Sequence, residues 1–393
     1  MDLRFVTDES ALDAALELVA EPVVGIDVER ADGGRYFKAA ALVQVGTARG
    51  CVLVDGIAVD DLGSLEAFLT GRLAVFHALE NDLGPLASLQ VRPARAADTS
   101  IAAALLGQPT GLRPLLAGVL GVRLGGDKER LQRADWSVRP LSEEMIAYAA
   151  EDVAYLPRLW AELERRLRES GRHGWYEQEL AAVVERVSGR RRSWTRTKGL
   201  GRLDERGRAV LRAIWEERET IARHEDVAPQ LIVRDESLVA IAENPPQSLA
   251  GFSHHGLRGH QARRYGHRFL AAVRDGIGTQ GEAAATKARP ATSEDRATYD
   301  RLRRARAQVA EGFGISSGVL CPSRLLWQAV LSDPHNGGEL CAVAGLRPWQ
   351  TELLEEALWA AYEKGQMRSG RSHERRVQEG GPQAASADGA EPL

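Results

Sequence analysis

Pro22-Val23-Val24-Gly25-Ile26-Asp27-Val28-Glu29 is a short apolar, β-branched run that ends in two acids. It reads as a buried strand. Residues i and i+2 of a strand share a face, so Asp27 and Glu29 point the same way. Two carboxylates on one face at the end of a buried strand are costly unless a cation lies between them. A divalent metal with oxygen ligands fits. Taken alone, two solvated acids at a surface strand end explain the pair as well. Working outward, Ala40 to Gly46, Gly50 to Val54 and Leu73 to His77 read as further strands, the first two joined by a turn near Ala48-Arg49-Gly50. Thr7 to Val19, Leu62 to Leu69 and Asn81 to Leu89 read as helices, and helices dominate from there to about Leu167. A strand meander followed by strand–helix alternation predicts an α/β fold with a mixed sheet flanked by helices.

At 393 residues the chain is too long for one typical core and predicts two or three domains. It is 44% hydrophobic and 27% charged, the balance of a soluble globular protein. It has neither a long apolar run for a membrane span nor a signal-peptide start. Cys51, Cys321 and Cys341 form neither a disulfide framework nor a metal-binding Cys-x-x-Cys. A cytoplasmic location is expected. The net charge of −4 is uneven: residues 1–158 carry 15 basic and 23 acidic side chains, and residues 159–393 carry 36 and 32. An acidic half can hold divalent cations and a basic half a polyanion.

Arg186 to Arg202 holds seven positive residues and no negative ones. It reads either as a solvated linker or as a segment that tracks a nucleic-acid backbone, with Arg190, Arg191, Arg192, Arg196 and Lys198 on the phosphates and Trp194 among them. From Leu203 to Gly276 the pattern is wholly helical, with Asp204 and Asp235 as candidate helix starts. A second helical block, about Ser293 to Lys364, repeats it loosely, with the phrase from Ser237 matching that from Ser323. His254, His255, His260 and His267 fit no strong zinc spacing.

Two further acids and a tyrosine complete the pattern. Asp82 follows His77 in His77-Ala78-Leu79-Glu80-Asn81-Asp82, in the first turn of the next helix, where a helix-start role is the plain alternative. Tyr148 and Asp152 lie four apart in Tyr148-Ala149-Ala150-Glu151-Asp152, within a helix over Ser142 to Leu156, and therefore share a face. Between them runs Asp127 to Leu141. Its Lys128 and Arg133 could face phosphates, Trp136 reads as core packing, and Asp135 is expected to brace Arg139.

Together these segments resemble the ribonuclease D family, within the DEDD superfamily of 3′-to-5′ exonucleases. The superfamily's first motif, Asp-x-Glu, is Asp27-Val28-Glu29. The second ends in Asp82, and the third, Tyr-x-x-x-Asp, is Tyr148 to Asp152. Asp98-Thr99-x-x-Ala-Ala and the stretch Gln132 to Leu141 are also similar to the family. The tyrosine marks the branch that uses tyrosine rather than histidine. Val28 and Arg30 depart from the common wording, which puts a contact to the 3′-terminal nucleotide in doubt. Residues 203–276 resemble an HRDC domain, a nucleic-acid-binding helical module.

The resemblance implies a ribonuclease H-like mixed five-stranded sheet with flanking helices, followed by two all-α HRDC-type domains. The expected division is an exonuclease domain over 1–170, a basic connector over 171–202, an HRDC domain over 203–276, a linker over 277–292, a second HRDC-like domain over 293–366 and a disordered tail over 367–393. Asp27, Glu29, Asp82 and Asp152 would bind two divalent ions, Mg²⁺ or Mn²⁺, and Tyr148 would hold the attacking water. His77, Lys128 and Arg133 would contact nucleic acid. The implied activity is stepwise hydrolysis from RNA 3′ ends, tRNA precursors above all, releasing nucleoside 5′-monophosphates. No membrane and no obligate protein partner are implied. Single-stranded DNA is the alternative substrate, and a non-catalytic nucleic-acid-binding protein is the alternative class.

Overall fold

The computed structural model describes residues 2–366, except 32, 38, 126, 190, 191 and 280–290, together with the side chains of 128, 365 and 366. The expected disordered tail over 367–393, most of the linker over 277–292, and Arg190 and Arg191 thus lie outside the described residues. The chain divides into two units, Met1–Lys287 and Ala288–Leu393.

The first unit is built on a mixed sheet of six strands, one more than expected: β1 (Asp2–Val6), β2 (Val23–Arg30), β3 (Ala40–Gly46), β4 (Gly50–Asp55), β5 (Leu73–Phe76) and β6 (Ala96–Asp98). Their order is β1-β4-β3-β2-β5-β6. The edge strands β1 and β6 are the ones without a recognisable pattern. β1 is exposed over its first three residues, and β6 has only three residues, too few to show a period. β2, β3 and β4 form the antiparallel meander, while β5 and β6 extend the sheet parallel to β2. β3 and β4 are buried along their whole length. Sandwiched between layers, they read as continuous apolar runs rather than alternating ones. The expected helix over Thr7 to Val19 is instead broken into a 3-10 turn, a five-residue helix (Leu12–Leu16) and another 3-10 turn.

Helix Leu156–Glu169 carries the chain to the expected connector over 171–202, whose first half is itself a helix, His173–Ser188, and whose remaining described residues form only short 3-10 turns. The first helical block then runs through Glu205–Glu225, Pro229–Ile232, Asp235–Glu243, a 3-10 stretch and Gly259–Gly278. Asp204 caps the first of these through Gly207 N–H at 2.7 Å. In the second unit the same order recurs in Ser293–Gly312, Ser317–Leu320, Ser323–Leu331, Gly337–Val343 and Pro348–Gln366. Two buried arginines set the register of this repeat. Arg218 donates to the Val233 carbonyl and to Asp235, and Arg306 donates to the Cys321 carbonyl and to Ser323. Ser323 therefore corresponds to Asp235, two residues from the Ser237 that the sequence phrases suggested. Among the described residues no helix is long and apolar enough to cross a membrane.

Candidate active site

β2 pairs with β5 only over Val23 to Gly25. Beyond Gly25 its carboxyl end continues along β3 alone, and Asp27 and Glu29 project there, half-buried. The ends of parallel strands open a crevice, and chemistry in α/β sheets gathers at such ends. The loops leaving β5 and β6 supply the rest of the wall.

The chain after β5 turns sharply at Ala78, which has φ 68°. Asp98, at the end of β6, fastens this turn. Its carboxylate accepts the backbone N–H groups of Ala78 and Leu79 at 3.3 and 2.7 Å, and those of Ser100 and Ile101 at 2.7 and 3.1 Å. One buried acid thus caps helix Thr99–Leu105 and shapes the turn that leads to Asp82. Its role is invisible in sequence, where Asp98 stands 19 or 20 residues from the turn it holds. Asp82 occupies the N-cap position of helix Leu83–Ser88, but its side chain makes no capping bond. Buried to 4% exposure, it faces the crevice instead. His77 lies within 2.9 Å of the Thr99 hydroxyl, which itself donates to the Phe76 carbonyl. The hydroxyl proton is committed to that carbonyl, so His77 Nδ1 carries the hydrogen of the shared bond.

Helix Glu143–Ala154 crosses β2, β3 and β4 and brings in Tyr148 and Asp152, both buried. It starts where Ser142 Oγ accepts Met145 N–H at 3.2 Å. The helix approaches the sheet through a notch made by two cross-strand glycines, Gly25 and Gly46. A Cβ on Gly25 would lie 2.3 Å from the Val153 carbonyl oxygen, and one on Gly46 2.4 Å from Val153 Cγ2. Val153 adjoins Asp152, so the notch sets the depth of the acid. Gly25→Ala must lift the helix. We expect it to cost about 1–3 kcal/mol of stability and to lower kcat by up to ~100-fold through the displaced carboxylate. A Gly25→Ala protein with wild-type kcat and melting temperature would remove the notch from the account.

Asp27, Glu29 and Asp152 each offer an oxygen within 4.8 Å of the others. Among the described residues no other group of three or more such ligands comes together. Asp82 stands outside that triangle but lines the same cavity of about 510 Å³. Burial, then the charges of Asp27 and Asp152, push the Glu29 carboxyl up to about 9. Burial, then Asp27, Asp98 and Glu29, also raise Asp82. Four carboxylates at such separations, short of compensating cations, oppose one another's ionisation. Oxygen-only donors that resist sharing a cavity uncompensated suit hard divalent ions. Burial and the adjacent Asp152 hold the Tyr148 phenol well above its ordinary value, and its hydroxyl is hydrogen-bonded to Asp152. Trp136, buried in the core, packs 6.2 Å from the Tyr148 ring and donates to the Leu131 carbonyl.

Arg133 lines the cavity from an exposed position, whereas the Lys128 side chain lies outside the described residues. Arg139 is not braced by Asp135. It pairs in bidentate fashion with buried Asp55, at 2.6 and 2.7 Å, and Asp135 instead accepts Ser137 N–H. A planar guanidinium matches a carboxylate edge, and only the folded chain brings the two together across 84 residues. In the connector, Arg196 and Lys198 are exposed, and Arg192 pairs with Glu219 at 2.6 Å. Trp194, expected among the phosphates, packs half-buried against the apolar core of the first helical block.

Residues 3–168 match the family model described as 3′-5′ exonuclease, and residues 207–273 match that of the HRDC domain. A ribonuclease D from Xanthomonas oryzae pv. oryzae is 30% identical over 333 residues, 82% of this chain and 90% of that relative. One from Acidiphilium cryptum is 34% identical over 258 residues, 63% of this chain, and the match spans only 64% of that relative's length. The crystal structure of Escherichia coli RNase D, described as an exoribonuclease involved in structured RNA processing, superposes with a TM-score of 0.79 at 25% identity, covering 93% of this chain and 99% of that one. The chain belongs to the ribonuclease D family, and it is a hydrolytic 3′-5′ exonuclease.

Proposed function

We propose that the protein removes nucleotides one at a time from RNA 3′ ends, tRNA precursors among them, and releases nucleoside 5′-monophosphates. The observation that carries this reading is the convergence of Asp27, Glu29 and Asp152 beside a tyrosine hydroxyl bonded to Asp152. Asp27, Glu29, Asp82 and Asp152 would hold two divalent ions, Mg²⁺ or Mn²⁺, which when bound supply charge stabilisation at the scissile phosphate and a more acidic water. The Tyr148 hydroxyl proton is engaged with Asp152, so its oxygen is left to accept a hydrogen bond. It therefore orients the attacking water and does not take its proton. His77 and Arg133, on the cavity wall, bind the terminal nucleotide and its phosphate, with Lys128 assigned from sequence to the same task. The connector arginines hold the strand through its phosphates.

Removal of the phenol oxygen in Tyr148→Phe should lower kcat about 100-fold and leave KM within about twofold, because the lost contact acts on the water rather than on the substrate. A kcat within twofold of wild type would deny Tyr148 that role. The RNA assignment draws support from the ribonuclease D relatives, and the structured-RNA assignment from the words describing the Escherichia coli protein. A cytoplasmic site of action agrees with three buried free thiols. Incubation with 3′-extended tRNA and a matched DNA strand, with and without Mn²⁺, tests the proposal, with products resolved by length. Stepwise shortening of the RNA is expected, and shortening of DNA alone would overturn the assignment.

A further inference from the structure

β3 carries one polar side chain in an otherwise apolar run, that of Gln44. It is fully buried, at 0% exposure. Neither its Oε1 nor its Nε2 has a hydrogen-bond partner among the described residues. Taking an amide out of water without giving it a partner is destabilising, and an apolar side chain of the same shape avoids that cost. Buried side-chain amides in folded proteins nearly always find partners. Stability alone would therefore favour Leu or Met at position 44.

The sheet register identifies the neighbours of this amide. Gln44 stands opposite Asp27 on β2 and opposite Leu53 on β4. Directly opposed residues of an antiparallel pair share a face, with Cβ atoms about 4.5–5.5 Å apart. Gln44 also shares a face with Gly46, two residues on, which turns toward Val153. Helix Glu143–Ala154, the bearer of Tyr148 and Asp152, closes over this face and packs on all three strands. Leu53 is fully buried and offers no polar atom from its side chain, so Asp27 is the polar neighbour in the row. Gln44 does not line the acidic cavity. It lies behind Asp27, out of reach of a substrate.

We propose that Gln44 is a positioning residue for the acidic site, its Nε2 donating to the Asp27 carboxylate when that acid holds a divalent ion. The proposal rests on the metal-binding reading of the four acids. A carboxylate that gives one oxygen to an ion has a second to offer a donor, and a hydrogen bond there fixes the orientation of the group. An amide suits this place better than Lys or Arg, whose charge would offset the repulsion among the acids and so compete with the ion. A buried water would also satisfy the amide, but its bonds would be indifferent to the ion.

The test compares the full chain with Gln44→Met, which keeps the length of the side chain and removes both polar atoms. In EDTA the variant should melt at or above the wild-type temperature, since two unpartnered groups are gone. Its dissociation constant for Mn²⁺, measured by calorimetry, should rise about tenfold or more. At saturating Mn²⁺ its KM for RNA should stay within about twofold of wild type, because the side chain does not touch the substrate. In wild type labelled with ¹⁵N at the glutamine side chains, the amide resonances missing from Gln44→Met should move when Mg²⁺ is added. Gln44→Glu identifies those resonances should Gln44→Met not fold. An unchanged Mn²⁺ affinity in Gln44→Met would overturn the proposal and leave the metal site intact. So would a Gln44 amide that ignores Mg²⁺ while Mg²⁺ raises the wild-type melting temperature. A wild type that binds neither ion would overturn both.

Discussion

Asp152→Asn is expected to lower kcat by roughly 10³-fold or more at saturating Mg²⁺, and Asp27→Asn likewise, because on the proposed reading each removes a charge that would hold cations against the scissile phosphate. Neither should unfold the protein. Burial and the charges of Asp27 and Asp152 act together to raise Glu29, so a neutral amide at either position relieves repulsion. The metal-free variants should melt at or above the wild-type temperature. Loss of activity without loss of stability separates a ligand from a structural residue. Near-wild-type kcat in either purified variant would refute the metal-site assignment.

Chelation should abolish hydrolysis, and the metal-free protein should become less stable as pH rises. In the unfolded chain Glu29 titrates near 4.5, and in the folded chain only near 9. Between those values the folded state binds the extra proton, so the slope of stability against pH is negative. The stability associated with Glu29 is full below about pH 4.5 and lost as pH climbs toward 9, and Asp82 shifts in the same direction. On the proposed reading divalent ions would reverse this by binding the ionised acids. Mg²⁺ or Mn²⁺ should therefore raise the melting temperature more at pH 8 than at pH 5.5, since protons compete for the same oxygens. Thermal melts with and without EDTA at the two pH values measure both effects. A metal-induced shift that is equal at both values, or larger at the acidic one, would show that the ions bind elsewhere.

Much of the site was legible because its spacings are local. The two-residue period of a strand puts Asp27 and Glu29 on one face, and the i,i+4 geometry of a helix does the same for Tyr148 and Asp152. The glycine notch was not legible, because Gly25 and Gly46 matter through Val153, more than 100 residues away in sequence. Asp98 carried a family resemblance but no function until its four N–H partners were in place. The pairing of Arg139 was misread for the same reason. Asp135 is near in sequence, but burial of Asp55 makes that acid the one that most needs a cation. Trp194 looked like a stacking residue among arginines, and the helical core nearby took its ring instead.

The four central strands, the four acids and the tyrosine were all present in the linear chain, since periodicity and motif spacing depend on residues a few positions apart. The depth at which Asp152 sits, the turn that delivers Asp82 and the hold of Asp226, at the end of helix Glu205–Glu225, on the loop between β2 and β3 arise from contacts spanning tens to nearly two hundred residues. Such contacts depend on which surfaces meet when the apolar faces are buried, and no local pattern encodes that meeting.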